Sequence, residues 1–301
     1  MTLTRRQWLL LGVLTLLWGM NWPMMKLSLR EVSPLWFRAL TMSGGTLTLI
    51  AFFSARGISL AVNREQAWRL ALLSLTNIIG WHFCTIIGLS QLPAGRAGIL
   101  AFTMPVWTVL ITVLFFGERM SPRAWLSVVA AVAAVGLLAA NELVALSGRP
   151  IGVLWLQGAA ISWALGTVLM QRSQLNLPTE TVTVWMMIYG SAFFWAVALL
   201  AEPLPPWHTW QGWHQATWWS LAYGVLLNFG FAQVIWFGLA RSLPARASAF
   251  SVMAVPVVGI ATATVIVGEV PRASDWLAAL FIAVAIASAT GVRSRGDNPR
   301  P

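Results

Sequence analysis

Between Ala97 and Gly117 the chain reads AGILAFTMPVWTVLITVLFFG, with no ionisable side chain in it. A segment this apolar has few ways to fold. In hydrocarbon its backbone finds no water, so about 20 residues satisfy their own polar groups as a helix that crosses the ~30 Å core of a bilayer. The pattern recurs along the chain. Ten apolar runs fall at about 7–27, 34–55, 67–90, 95–117, 122–141, 150–171, 180–201, 216–240, 244–267 and 272–292. Most connections are short and carry a proline, as at Pro34, Pro93, Pro122, Pro150, Pro178, Pro244 and Pro271. The longest, EPLPPWHTWQGWHQ at 202–215, is rich in aromatics and prolines and reads as an interfacial cap. Its His208 and His214 are spaced poorly for one helix face, so no metal is expected.

Composition agrees. Only 9% of the 301 residues are charged and 58% are hydrophobic, with mean hydropathy +0.74. A soluble domain carries about 25% charged residues. The net charge of +10 comes almost entirely from arginines, Lys26 being the sole lysine. They stand singly between apolar runs, with no basic stripe to follow phosphates, so nucleic acid is not expected as a partner. With the N-terminus placed in the cytoplasm, thirteen of the 19 basic side chains fall on the cytoplasmic side. The positive-inside rule then puts both termini there. Arg5 and Arg6 read as an anchor rather than part of a cleaved leader, because no A-x-A site follows. Cys84 has no second cysteine to pair with and reads as a small apolar residue.

The two halves repeat. LPAGRAGILAFTMPVW at 92–107 returns as LPARASAFSVMAVPVV at 243–258, 151 residues on. Gly117-Glu118 likewise returns as Gly268-Glu269, and Trp125-Leu126 as Trp276-Leu277. Residues 1–145 and 146–292 thus form two five-helix units, with 293–301 as a cytoplasmic tail. Five is odd, so the second unit lies upside down relative to the first. Inverted repeats that rock about a central site give alternating access.

These residues resemble the drug/metabolite transporter superfamily in its ten-helix EamA-type branch. Trp18-Gly19, Pro34 with Arg38, Pro93-Ala94, Pro105 and Gly117-Glu118-Arg119 carry the resemblance in the first half. Pro244-Ala245, Pro256 and Gly268-Glu269 carry it in the second, where Val270 replaces the arginine of Arg119. The resemblance implies an all-α integral membrane protein, two inverted five-helix repeats around a central cavity, with the fifth and tenth spans at the periphery. Among such carriers the chain is similar to bacterial exporters of amino acids, aromatic ones in particular.

Polar and aromatic side chains inside spans are the candidates for substrate contact, because a polar group in hydrocarbon needs a partner or a cavity. They are Trp18, Asn21, Trp22, Asn77, His82, Phe102, Trp163, Trp185, Tyr189 and Asn228. Pro105 and Pro256, mid-span at equivalent places, are candidate hinges. Glu118 and Glu269 at helix ends are expected to make loop and cap hydrogen bonds. No carboxylate falls mid-span, so a facilitative carrier needing no proton or sodium is expected, with no cofactor. The partners expected are a small-molecule substrate and the lipid bilayer. A monomer suffices for this fold, and the oligomeric state stays open. Cargo also stays open: neutral or zwitterionic metabolites, with nucleobases, drug-like amines or a lipid-linked substrate as alternatives.

Overall fold

The computed structural model describes residues 4–117, 120–144, 150–204, 207–242 and 245–290. Its elements are helices: α1 (Arg5–Ser28), α2 (Pro34–Ala55), α3 (Arg64–Ser74), α4 (Trp81–Gln91), α5 (Ala94–Ala101), α6 (Met104–Phe116) and α7 (Pro122–Val144) come first. The second half holds α8 (Pro150–Arg172), α9 (Thr179–Ala201), α10 (Trp207–Gln211), α11 (Gln215–Ala222), α12 (Ala232–Ser242), α13 (Ala245–Val267) and α14 (Ala273–Thr290). A π-helical stretch, Leu75–Gly80, joins α3 to α4, and another, Tyr223–Phe231, joins α11 to α12. Among the described residues eight continuous helical stretches are long and apolar enough to cross a membrane; Met253–Val267 and Ala273–Ala289 are shorter apolar helices.

The prolines act where the chain must stop and restart. Pro34 opens α2 behind an extended Ser33 (φ −66°, ψ 152°), and Pro93 and Pro178 stand just before α5 and α9. A proline costs nothing at a first turn, where its N–H would have no partner. The repeated Gly-Glu pair has a backbone cause. Gly117 and Gly268 both adopt left-handed φ, +67° and +73°, which ends the preceding helix where another residue would be strained.

The two halves interlock. α1 lies along α13, while in the other half α8 lies along α5 and α6. α4 packs on α8, and α12 packs on α1. α2 pairs with α9, and α7 with α14. Exchange of the halves maps each of these pairings onto another or onto itself. Close approach needs small residues: a Cβ on Gly19 would lie 2.4 Å from Val258 Cγ1 of α13. The α7–α14 pair is tied by Ser127 Oγ donating to the Ala285 carbonyl (2.7 Å) and Asn141 Nδ2 to Ser274 Oγ (2.8 Å). Its outer face exposes Trp125, Val129, Val132 and Leu280, as a lipid-facing surface does.

Candidate functional site

The π stretches stand at equivalent places in the two halves, and each carries one asparagine. Asn77 and Asn228 are 151 residues apart, the offset of the repeat, and both are buried. A π turn widens the helix and re-aims the side chains after it, which is why such turns gather at functional sites. Asn77 Nδ2 donates to the Leu73 carbonyl (3.1 Å), and the side chain lies over Gly166 of α8. After the first π stretch come Trp81 and His82, which turn toward the other half. Trp81 packs on Trp163 at 5.0 Å, and His82 packs on Phe229 at 5.3 Å. Trp18 meets Trp236 at 5.5 Å, so the seam between halves is lined by aromatic pairs with one ring from each side.

A second group surrounds Pro105. Here the fourth span breaks: α5 ends at Ala101 and α6 begins at Met104, with Pro105 in its first turn. Gln157 of α8 stitches the break. Its Oε1 accepts from Thr103 Oγ1 (3.2 Å) and Trp107 Nε1 (3.0 Å), and its Nε2 donates to the Leu100 carbonyl (3.3 Å). Phe102 sits at the break, edge-on to Trp22 at 6.5 Å. The equivalent Pro256 lies inside an unbroken α13. The two prolines therefore differ: one separates two helices, the other is accommodated within one.

Trp185 and Tyr189 stand elsewhere. Trp185 Nε1 donates to the Leu60 carbonyl (2.8 Å) and Tyr189 OH to the Ala67 carbonyl (3.0 Å), which fastens the α2–α3 connection and the start of α3 to α9. The structure does not bring them to the Trp22 and His82 groups.

The end of the bundle where α1 finishes is sealed by carboxylates on the N-termini of helices. Glu202 accepts from Ser33 Oγ (2.5 Å) and the Leu35 and Trp36 N–H groups (3.1 Å each) at the start of α2. Glu269 accepts from the Ala94 and Gly95 N–H groups (2.5 and 3.0 Å), so the tail of α13 caps α5 across the halves. Glu31 accepts from His214 N–H (2.9 Å) and Thr217 Oγ1 at the start of α11. Unpaired N–H groups and the helix dipole favour a negative charge at each place. Lys26 Nζ donates to the Leu89 and Leu92 carbonyls (2.8 and 2.9 Å) at the tail of α4, and Arg96 pairs with Asp275 at 2.8 Å. A cleft of about 270 Å³ remains there, bordered by Lys26, Arg30, Ser90 and Glu269. Glu118 lies outside the described residues, as does Pro244.

Sequence reasoning missed two residues. Gln157 is a carboxamide in the middle of the apolar sixth run, a signal that was there to be found. Arg38, named above only among the residues that carry the family resemblance, is 1% exposed, deep between α1 and the second π stretch.

Helices of membrane-spanning length, packed as two interlocked halves with an aromatic and amide seam, define a membrane carrier. The chain belongs to the EamA-like transporter family, whose model matches it twice, at residues 6–140 and 150–290. It is similar to the "Uncharacterized inner membrane transporter YedA" of Escherichia coli, at 26% identity over 93% of this chain and 89% of that one. It is also similar to the "Aromatic amino acid exporter YddG" of Ancylobacter novellus, at 30% identity over 50% of this chain and 53% of that one. A solved structure, titled "Crystal structure of protein", matches with a TM-score of 0.66 and 24% identity over 93% of this chain and 95% of that one. The protein is a multi-pass inner-membrane transporter.

Proposed function

We propose that this transporter exports small zwitterionic metabolites, with amino acids, aromatic ones included, as its cargo. The observation that carries this reading is the seam between halves, where Trp18–Trp236, Trp81–Trp163 and His82–Phe229 place large apolar rings beside buried asparagines. Flat apolar walls with a few fixed polar groups suit an amino acid with a large side chain. The similarity to a named aromatic amino acid exporter supports the same cargo.

The mechanism in this reading is alternating access between two inverted five-helix units, residues 1–145 and 146–292, with ten spans and both termini in the cytoplasm. The pairings that survive exchange of the halves support it, as do the double family match and the paired π stretches. The end sealed by Glu202, Glu269 and Glu31 is then the external one. Glu31, Glu202 and Glu269 serve helix ends, Asp275 and Glu65 pair with arginines, and the buried Glu180 stands in the first turn of α9, so none of these six carboxylates lies mid-span, which supports facilitative transport.

Uptake of radiolabelled amino acids by proteoliposomes, with and without an imposed proton gradient, tests this. Saturable uptake, independent of the gradient and competed by unlabelled aromatic amino acids, is expected. Uptake that needs the gradient would overturn the facilitative mechanism. Folded protein that takes up no amino acid would overturn the cargo and turn attention to nucleobases, amines or lipid-linked substrates.

A further inference from the structure

Arg38 sits in the second turn of α2 and is enclosed by Met25, Phe37 and Phe229, all of them 3% exposed or less. A guanidinium carries five N–H donors and a charge, and burial of a charge is costly unless it is paired and hydrogen-bonded. Arg38 is not. Its Nη2 donates to Met25 Sδ at 3.2 Å, its Nε is buried with no partner, and among the described residues no carboxylate pairs with it. The rings of Phe37 and Phe229 lie 5.9 and 5.8 Å from the guanidinium carbon, at the outer reach of a cation–π contact, and supply no acceptor.

The thioether is the telling atom. Asn21 Nδ2 also donates to Met25 Sδ, at 3.6 Å. Two N–H donors, one of them charged, thus converge on a sulfur, one of the weakest acceptors a protein offers. Met25 is unbranched and turns readily about its side-chain bonds. Next to the cluster stands His82, whose Nδ1 is likewise buried without a hydrogen-bond partner and whose ring lies on Phe229. The five-helix unit does not need such a cation. When the first residues of α2 and α9, Pro34 and Thr179, are superposed, Thr183 stands where Arg38 does.

We propose that Arg38, with Asn21 and His82, forms a binding subsite for a carboxylate, the position of whose oxygen is held by Met25 Sδ. The proposal deepens the amino acid reading and rests on it for the cargo's identity, though not for the anion chemistry. A carboxylate oxygen in place of the sulfur accepts from Arg38 Nη2 and Asn21 Nδ2. The second oxygen reaches Arg38 Nε in the bidentate manner that guanidinium groups favour. The seam aromatics then face the apolar body of the molecule.

The test is equilibrium binding to the purified full-length transporter in detergent or nanodiscs, with three probes that differ at one end. L-Phenylalanine has carboxylate and ammonium, 3-phenylpropionate has the carboxylate alone, and L-phenylalaninamide has the ammonium alone. Phenylalanine and phenylpropionate are expected to bind, with the amide at least about tenfold weaker, as loss of a charge-assisted pair implies. Arg38→Gln is expected to lose at least about tenfold in affinity for both carboxylates while its Tm stays level or rises, because an unpaired buried charge has been removed. Arg38→Lys retains part of the affinity. Equal binding of the amide and phenylalanine, full affinity in Arg38→Gln, or no binding of either carboxylate to the folded wild type overturns the subsite. Should Arg38→Gln fail to fold, the wild-type probe series still decides. Binding of phenylpropionate through Arg38 without uptake of any amino acid leaves the subsite standing and removes the cargo reading.

Discussion

At the scale of single residues, the polar groups inside this membrane protein fall into those that are satisfied and those that are aimed. Gln157 is satisfied: three hydrogen bonds hold the broken fourth span. Such bonds average about 0.6 kcal/mol within membrane proteins. Gln157→Leu is therefore expected to lower stability by about 2 kcal/mol, read as a fall in unfolding free energy in bicelles. A variant as stable as the wild type would show that the stitch does not hold the break. Which polar side chains would stand inside the spans was legible, since Asn21, Asn77, His82 and Asn228 stand out in apolar runs. Their partners were not. Nothing along the chain says that Trp185 and Tyr189 would be spent on the Leu60 and Ala67 carbonyls, or that Arg38 would meet a methionine, because those contacts join residues far apart in sequence.

At the scale of elements, spans and turns were legible because apolar length and proline positions report them directly. Local backbone departures were less so. Mid-span Pro105 and Pro256 look alike in sequence, yet one opens α6 and the other rides inside α13. The difference lies in what surrounds them: Gln157 offers the broken backbone before Pro105 an alternative hydrogen bond, at the Leu100 carbonyl. Pro105→Ala restores an N–H to the Ala101 carbonyl and is expected to favour a continuous helix, with turnover in proteoliposomes reduced several-fold and Tm level or higher. Pro256→Ala is expected to change turnover less. Equal effects would show that the break has no role. The π stretches carry a sharper expectation. Deletion of one residue within Leu75–Gly80 returns the span to α geometry and rotates His82 by about 100° relative to α3. Transport should be lost in a protein that still folds and reaches the membrane. Wild-type uptake by the deletion variant would mean that the re-aimed face is not the transport face.

At the scale of the whole molecule, duplication was the most legible property, because an offset of 151 residues is written into the chain at Gly117-Glu118 and Gly268-Glu269. The structure adds what the repeated glutamate does. Glu269 reaches from the tail of α13 to the N-terminus of α5, and so joins the halves at one end of the bundle. If that end is to open, this contact has to part, so it stabilises the closed state and not the open one. A ligand or contact shifts a two-state equilibrium only by such a difference. Two charge-assisted bonds to backbone N–H groups, part of which a neutral amide keeps, amount to about 1–2 kcal/mol. Glu269→Gln is therefore expected to raise the ratio of open to closed at this end by about 5- to 30-fold. Spin labels at Ser90, which borders the cleft, and at Val270, next to Glu269 in sequence, both of them exposed, read the change as a larger share of long distances in a Cys84→Ser background. An unchanged distance distribution would sink the latch.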